Sequence, residues 1–219
     1  MAQEIKTDPF SPSATDPVSA QSPGRMSYEE FLAWADEGAH VEWVDGEVVF
    51  MSPVSTEHQL LAAFLAALLQ FFVEANKLGL VLTAPFQMKL AVRPSGREPD
   101  VIFIARERRA DLKQAYLDGP ADLAIEVISP DSRARDRGDK YYEYEQAGVR
   151  EYWLLDPIRK QAEFYRLGSD GLYSVVAIGE DAIFCSVVLE GLWLKVDWLW
   201  QEPLPPLMFV LKEWGLVRE

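Results

Sequence analysis

From Leu123 to Ile128 the chain reads LAIEVI, a run that is apolar on both alternating faces except at Glu126. Such a run fits a strand in the middle of a sheet, covered on both sides. A carboxylate inside it is expensive to bury unless a partner or a bound cation meets it. Any fold this chain adopts must satisfy Glu126, or else leave that strand face in water. A second carboxylate stands in a related place, since Asp100 directly precedes the apolar Val101–Ile104. Alone, an aspartate after Pro99 and before a strand is ordinary turn chemistry. Beside Glu126 on a neighbouring strand it becomes one of two oxygen donors, and magnesium or manganese takes one or two carboxylates from a protein. Asp100 and Glu126 are therefore candidate ligands of Mg2+ or Mn2+. The competing reading of Glu126 is a buried partner of an arginine, or a solvated sheet face.

The segments around this pair have clear signatures. Ser27 with Glu30 forms a capping box before Tyr28, Phe31 and Trp34, predicting a short helix that ends near Gly38. Val41–Met51 is two apolar runs around Asp45-Gly46, a hairpin signal. Ser55 or Thr56 opens a longer helix whose buried face is expected to carry Leu60, Leu61, Phe64, Leu65, Leu68, Leu69 and Phe72. Leu80–Val92 reads as one strand, and Arg106–Leu117 as a short helix or loop. A helix over Arg135–Ala147 ends at Gly148, then a strand covers Glu151–Leu155. A second hairpin pairs Ala162–Leu167 with Leu172–Ile178 across Gly168–Gly171. Residues 1–25, rich in Pro, Ser, Ala and Thr, read as a disordered leader. Residues 26–200 read as one domain, and 201–219 as an extension packing on it or on a dimer partner.

The helix after Glu126 presents Lys140, with Asp136 one turn earlier and Tyr144 one turn later. Asp136 and Lys140 at this spacing are commonly a surface ion pair. Turned toward the sheet instead, a lysine there can orient an activated water and stabilise charge on a phosphate. His58 opens the long helix, where a cap or a solvated side chain is the ordinary reading and the mouth of the same cleft the functional one. Arg133, Arg135 and Arg137 make a local basic cluster, either a solvated face or a phosphate contact. No cysteine pair, second histidine at metal spacing, phosphate-cradling glycine loop or GxSxG is present, which removes support for zinc, Walker-type and serine hydrolase chemistry.

The formal net charge of -14 opposes long-range attraction of nucleic acid, so any such binding must rest on a local basic patch and divalent cations. The single cysteine, Cys185, allows no internal disulfide and fits a reducing compartment. No run approaches the roughly 20 apolar residues of a spanning helix, and the first residues lack a signal-peptide pattern. The expectation is a cytoplasmic protein without a membrane segment.

The order Pro99-Asp100, then Glu126 in a strand, then a lysine resembles the PD-(D/E)XK nucleases. More narrowly, EPDVIFI, LAIEVISPDS, DRGDKYYEYEQAGVREYWLLDP and EFYRLGSDGLYS resemble the Uma-two family of restriction endonucleases, over about Ser27–Trp198. The resemblance implies an α/β (mixed α+β) fold, a restriction-endonuclease-like mixed sheet flanked by helices and added hairpins. It also implies Mg2+-dependent cleavage of DNA, in many such nucleases by a homodimer. One position departs from the superfamily pattern: two residues after the acid, where the lysine usually stands, this chain has Ile128. The resemblance to the Uma-two family assigns that role to Lys140. The leading expectation is a DNA endonuclease with Asp100, Glu126 and Lys140 as catalytic residues and Asp136 and His58 in support. The alternatives are an inactive interaction module of the same fold and a hydrolase of small phosphodiesters.

Overall fold

The computed structural model describes residues 23–35 and 40–217. Most of the expected leader and the predicted helix end at Gly38 lie outside the described residues. The first helix, α1 (Tyr28–Trp34), starts at the expected capping box: Ser27 Oγ accepts the Glu30 N–H at 3.2 Å and Glu30 Oε2 accepts the Ser27 N–H at 2.8 Å. β1 (Val41–Val44) and β2 (Glu47–Phe50) form the predicted hairpin, with Asp45 and Gly46 at φ 50° and 89°. Positive φ at both central residues is what a tight primed turn requires.

The helix α2 (Thr56–Asn76) begins at Ser55, whose hydroxyl accepts the His58 N–H. Its buried stripe is narrower than the sequence pattern: Leu61, Leu65, Leu68, Leu69 and Phe72 are inside, Phe64 is only partly covered, and Leu60 is 58% exposed. By length and composition α2 alone among the described helices is apolar enough to cross a bilayer, yet its stripe is built into the core.

The segment expected to form one strand over Leu80–Val92 is two. β3 (Gly79–Thr83) and β4 (Gln87–Leu90) belong to different sheets, and the break falls at Pro85, which has no N–H to give a ladder. β5 (Ser95–Arg97), β6 (Val101–Ala105), a 3-10 turn (Arg106–Asp111), β7 (Tyr116–Asp118) and β8 (Leu123–Val127) follow. Next comes a helical rod in three parts: α3 (Arg133–Arg135), a π-helical turn (Asp136–Lys140) and α4 (Tyr141–Ala147). Gly148 closes it at φ 92°, as expected of a left-handed cap. β9 (Glu151–Asp156), β10 (Gln161–Leu167) and β11 (Tyr173–Val175) continue the main sheet, and β12 (Ile183–Cys185) pairs with β13 (Trp193–Lys195). A 3-10 turn (Val196–Trp200) and α5 (Leu207–Glu213) end the described chain.

The main sheet has the order β11-β10-β9-β8-β6-β3, and the smaller one β2-β1-β5-β4-β7. In the main sheet β8 runs parallel to β9, joined by the helical crossover, and antiparallel to β6. β6 and β8 are buried throughout, as both-sided apolar runs require. Their alternation divides the core. Val101, Phe103, Leu123, Ile125 and Val127 face α2 and α5, whereas Ile102, Ile104, Ala124 and Ile128 face α4 and the smaller sheet. The C-terminal segment packs on its own domain: Val210 and Leu211 are buried in the α2-side core, and Trp214 stacks edge-on against Phe72.

Candidate active site

Residue parity decides which way the two acids point. Glu126 shares its face of β8 with Ala124 and Ile128, so it faces α4 and the smaller sheet. On β6, Asp100 shares parity with Ile102 and Ile104 and faces the same side. The antiparallel register pairs Val101 with Ile125, so one further step sets Asp100 opposite Glu126. The Asp100 carboxylate is pinned there by the Val127 N–H, which it accepts at 2.7 Å, and by His58 Nε2 at 3.2 Å. His58 is 5% exposed and its Nδ1 is buried with no hydrogen-bond partner. Of the two readings open from sequence, the structure places it against Asp100 rather than in water.

Glu126 does receive a cation. Lys140 Nζ donates to its Oε1 at 2.8 Å, and the Tyr144 hydroxyl donates to the same oxygen at 2.8 Å. Lys140 and Asp136 do share a helical face, but both are 1% exposed, so theirs is no surface pair; they stand 3.7 Å apart. The π-helical turn that carries them is a widened segment of the kind found at functional sites. Neither oxygen of Asp136 has a hydrogen-bond partner.

Four groups that the sequence reading passed over belong to this site. Glu42 of β1 is fully buried; its Oε1 lies 2.9 Å from Lys140 Nζ and its Oε2 accepts from Arg97 at 2.8 Å. Arg97 in turn makes a two-pronged bond to Glu143 of α4, at 2.7 and 2.6 Å. Glu98, next to Pro99, is 9% exposed and lines the cleft beside Asp100. The signal for Glu42 was available in VEWV, a carboxylate among strand formers, by the cost argument that singled out Glu126. Nothing in the local sequence marks Arg97, because its two partners lie 55 and 46 residues away.

The cleft is a cavity of about 330 Å³, lined by Glu98, Asp100, Glu126 and Asp136 with His58, Lys140 and Arg135. Its carboxylates outnumber its cations. Burial, with Asp136, Asp100 and Glu42 close by, pushes the Glu126 carboxyl up to about 8 against the pull of Lys140. Burial likewise raises Asp136, and it raises Glu98 to about 7. Glu42 goes the other way: burial opposes its charge, but Lys140 and Arg97 overcome this and hold it down at about 2. Lys140 is raised despite burial, because Glu126, Glu42 and Asp136 surround it, so it stays an ammonium.

The three arginines do not form one patch. Arg133 donates to Asp156 at 3.0 Å and Arg137 pairs with Glu163, both on main-sheet strands. Arg135 alone of them lines the cleft, and among the described residues it has no ion pair. Glu57 at the start of α2 faces a separate apolar groove beside Trp200 and Pro203.

A cleft of hard oxygen donors with surplus negative charge, in which both buried Asp136 oxygens have no hydrogen-bond partner, fits a divalent cation of the magnesium type. Among the described residues no group of three or more His, Cys, Asp or Glu side chains is placed to hold a metal ion. Asp100 and Glu126, opposite each other across the β6–β8 ladder, could hold such an ion as two ligands, water completing the shell, since magnesium commonly keeps several waters.

Among curated protein sequences none matches this chain. Among solved structures it is similar to a crystal structure described as a "putative nuclease belonging to DUF820" from Anabaena variabilis ATCC 29413. The TM-score is 0.67 at 16% identity, covering 80% of this chain and 97% of that one. At that identity the likeness establishes the fold, a nuclease-like mixed sheet flanked by helices. A protein-family model, Uma2, described as "Putative restriction endonuclease", matches residues 28–197. That span holds both carboxylates, the lysine and the hairpin glutamate, and the chain belongs to the Uma2 restriction-endonuclease family.

Proposed function

We propose that this protein is a magnesium- or manganese-dependent nuclease that hydrolyses DNA phosphodiester bonds at the Asp100–Glu126 cleft. The observation that carries this reading is the convergence of those two carboxylates across the β6–β8 ladder, with the Lys140 ammonium bonded to Glu126. When bound, a divalent cation supplies Lewis acidity toward the phosphate and a water of lowered pKa. Asp100 and Glu126 hold the cation, and the Val127 N–H and His58 keep Asp100 from turning away. Lys140, always charged, orients the attacking water and meets the negative charge that builds on the phosphate. Because Lys140 is held as an ammonium, it does not serve as the general base.

Nicking of supercoiled plasmid in Mg2+, with EDTA as control, tests the reading. Asp100→Ala and Glu126→Ala are each expected to abolish it, and cutting by either purified variant at the wild-type rate overturns the assignment. Calorimetry with Mn2+ checks the cation separately, through heat that Glu126→Ala removes.

A further inference from the structure

Lysine two residues after the strand acid needs no help to reach the site, but Lys140 arrives from a helix and has to be aimed. Four alternating charges do this. Lys140 meets Glu42 at 2.9 Å, Glu42 meets Arg97 at 2.8 Å, and Arg97 clasps Glu143, which lies three residues after Lys140 on the same rod. The chain of charges leaves the helix at Lys140, crosses the smaller sheet at β1 and β5, and returns to the helix at Glu143. All four side chains are at most 3% exposed. Glu42 is itself fixed, since the Glu98 N–H donates to its Oε1 at 3.2 Å. Ser95 and, from the rim, Arg93 hold Glu143 from the other side, at 3.1 and 3.4 Å.

We propose that Glu42 is a positioning residue for Lys140: the β1–β2 hairpin sheet takes a share of the ammonium and so sets where it stands over Glu126. This rests on the nuclease reading of the cleft. Without Glu42 the ammonium keeps its Glu126 and Asp136 contacts, both on the cleft side, and moves toward the space a substrate phosphate and a cation would occupy. Glu42 touches neither, so its effect must pass through Lys140.

The test is a double-mutant cycle on plasmid nicking in Mg2+, using Glu42→Gln, Lys140→Met and the pair, with thermal melts as a folding check. Glu42→Gln should lower kcat about 10- to 100-fold, the usual scale for a group that orients a catalytic neighbour, and leave KM for DNA within about twofold. In the Lys140→Met background the same change should cost nothing further. Because the two side chains touch, coupling is expected in either case; a merely structural role predicts a loss that follows a lowered melting temperature, and that result, or wild-type activity in Glu42→Gln, overturns the proposal. If Glu42→Gln does not fold, Glu42→Asp, which keeps the charge but shortens the reach, carries the same cycle with a smaller loss. If the wild-type protein cuts nothing, the nuclease reading falls while the positioning claim is still decided. The Lys140 ammonium resonance of 15N-lysine-labelled protein should be sharp in the wild type and exchange-broadened in Glu42→Gln, and an unchanged resonance overturns the claim.

Discussion

The ammonium of Lys140 lies 2.8 Å from Glu126 Oε1 across 14 residues of sequence, while Ile128, two residues from Glu126 on the same strand face, is packed in the core. On the proposed nuclease reading the helix supplies the ammonium near the strand acid, while Ile128 is a core packing residue. Lys140→Met should therefore lower plasmid nicking at least about 100-fold, the scale for removing one donor aimed at developing charge. It should also destabilise the fold by about 3–5 kcal/mol, because Glu42 loses its ammonium partner in a buried site. Arg97 still compensates Glu42 in part, so the lower end is expected in urea titrations near neutral pH. A stability change under about 1 kcal/mol contradicts the buried pairing.

The raised Glu126 and Glu98 carboxyls give the stability a definite pH slope. A carboxyl at about 8 or about 7 in the folded state, against about 4.5 in the unfolded chain, binds its proton more tightly when folded. Its stabilising contribution is complete below about pH 4.5 and is lost as pH rises through the folded value. In EDTA the protein should lose roughly 1 kcal/mol of stability per pH unit between pH 5 and 8 for each such group still protonated. Glu126→Gln should flatten the upper part of that slope, and saturating Mg2+ should flatten it too by replacing the proton. Urea midpoints at four pH values, with and without Mg2+, measure this. A midpoint that rises across the window in EDTA contradicts it.

How much of this was legible in the sequence depended on whether the deciding contact was local. The hairpin at Asp45-Gly46, the cap at Ser27 and the stop at Gly148 are set by neighbouring residues, and each stands where the pattern placed it. The division of Leu80–Val92 between two sheets was not legible, because alternation continues through Pro85 while the partners change from β6 to β5 and β7. Leu60 matched helical spacing but lies off the buried stripe, since only the packing of the sheet decides how wide that stripe is. In the site, Glu126 announced itself by cost. Arg97 and Glu143 did not, because a charge in a short turn-like strand or on a helix looks solvated until a distant partner closes over it.

His58 offers a cleaner separation of holding from chemistry. Its Nε2 lies 3.2 Å from Asp100, yet Asp100 also has the Val127 N–H, so the carboxylate keeps one restraint when the imidazole is lost. His58→Ala should lower nicking about 10-fold, less than Asp100→Ala, and weaken Mn2+ binding measured by calorimetry. His58→Gln, which retains a donor, should recover part of both. Equal losses in His58→Ala and Asp100→Ala would falsify the restraining role.

The C-terminal segment should prove inseparable from the domain. Leu211 is 1% exposed in the α2-side core, and Trp214 Nε1 donates to the Trp193 carbonyl at 2.8 Å. Leu211→Ala is expected to cost about 2–5 kcal/mol, as for other buried leucines. Deleting residues 201–219 should remove cooperative unfolding in a thermal melt. A truncated chain that melts as sharply and as high as the full one shows instead that the segment is an appendage.

Arg135, the arginine lining the cleft, forms no ion pair among the described residues, and this bears on the size of the proposed substrate. In an acidic chain most cations near the site are already neutralised: Arg93 by Asp45 and Asp139, Arg97 by Glu42 and Glu143, Arg133 by Asp156, and Arg137 by Glu163. Arg135 lines both the carboxylate cleft and an adjoining groove that runs past Arg93 and Val49. On the nuclease reading, a phosphate next to the scissile one would meet Arg135 on that path, and a single small phosphodiester has no such second phosphate. Arg135→Gln should weaken binding of a duplex oligonucleotide and lower the slope of log affinity against log salt by about 1. Hydrolysis of bis(p-nitrophenyl) phosphate should stay at the wild-type rate. Arg133→Gln and Arg137→Gln should change neither, because their guanidinium groups already sit on Asp156 and Glu163. If Arg135→Gln slows the small ester as much as the oligonucleotide, Arg135 acts on the reacting phosphate itself and the natural substrate need not be a polymer.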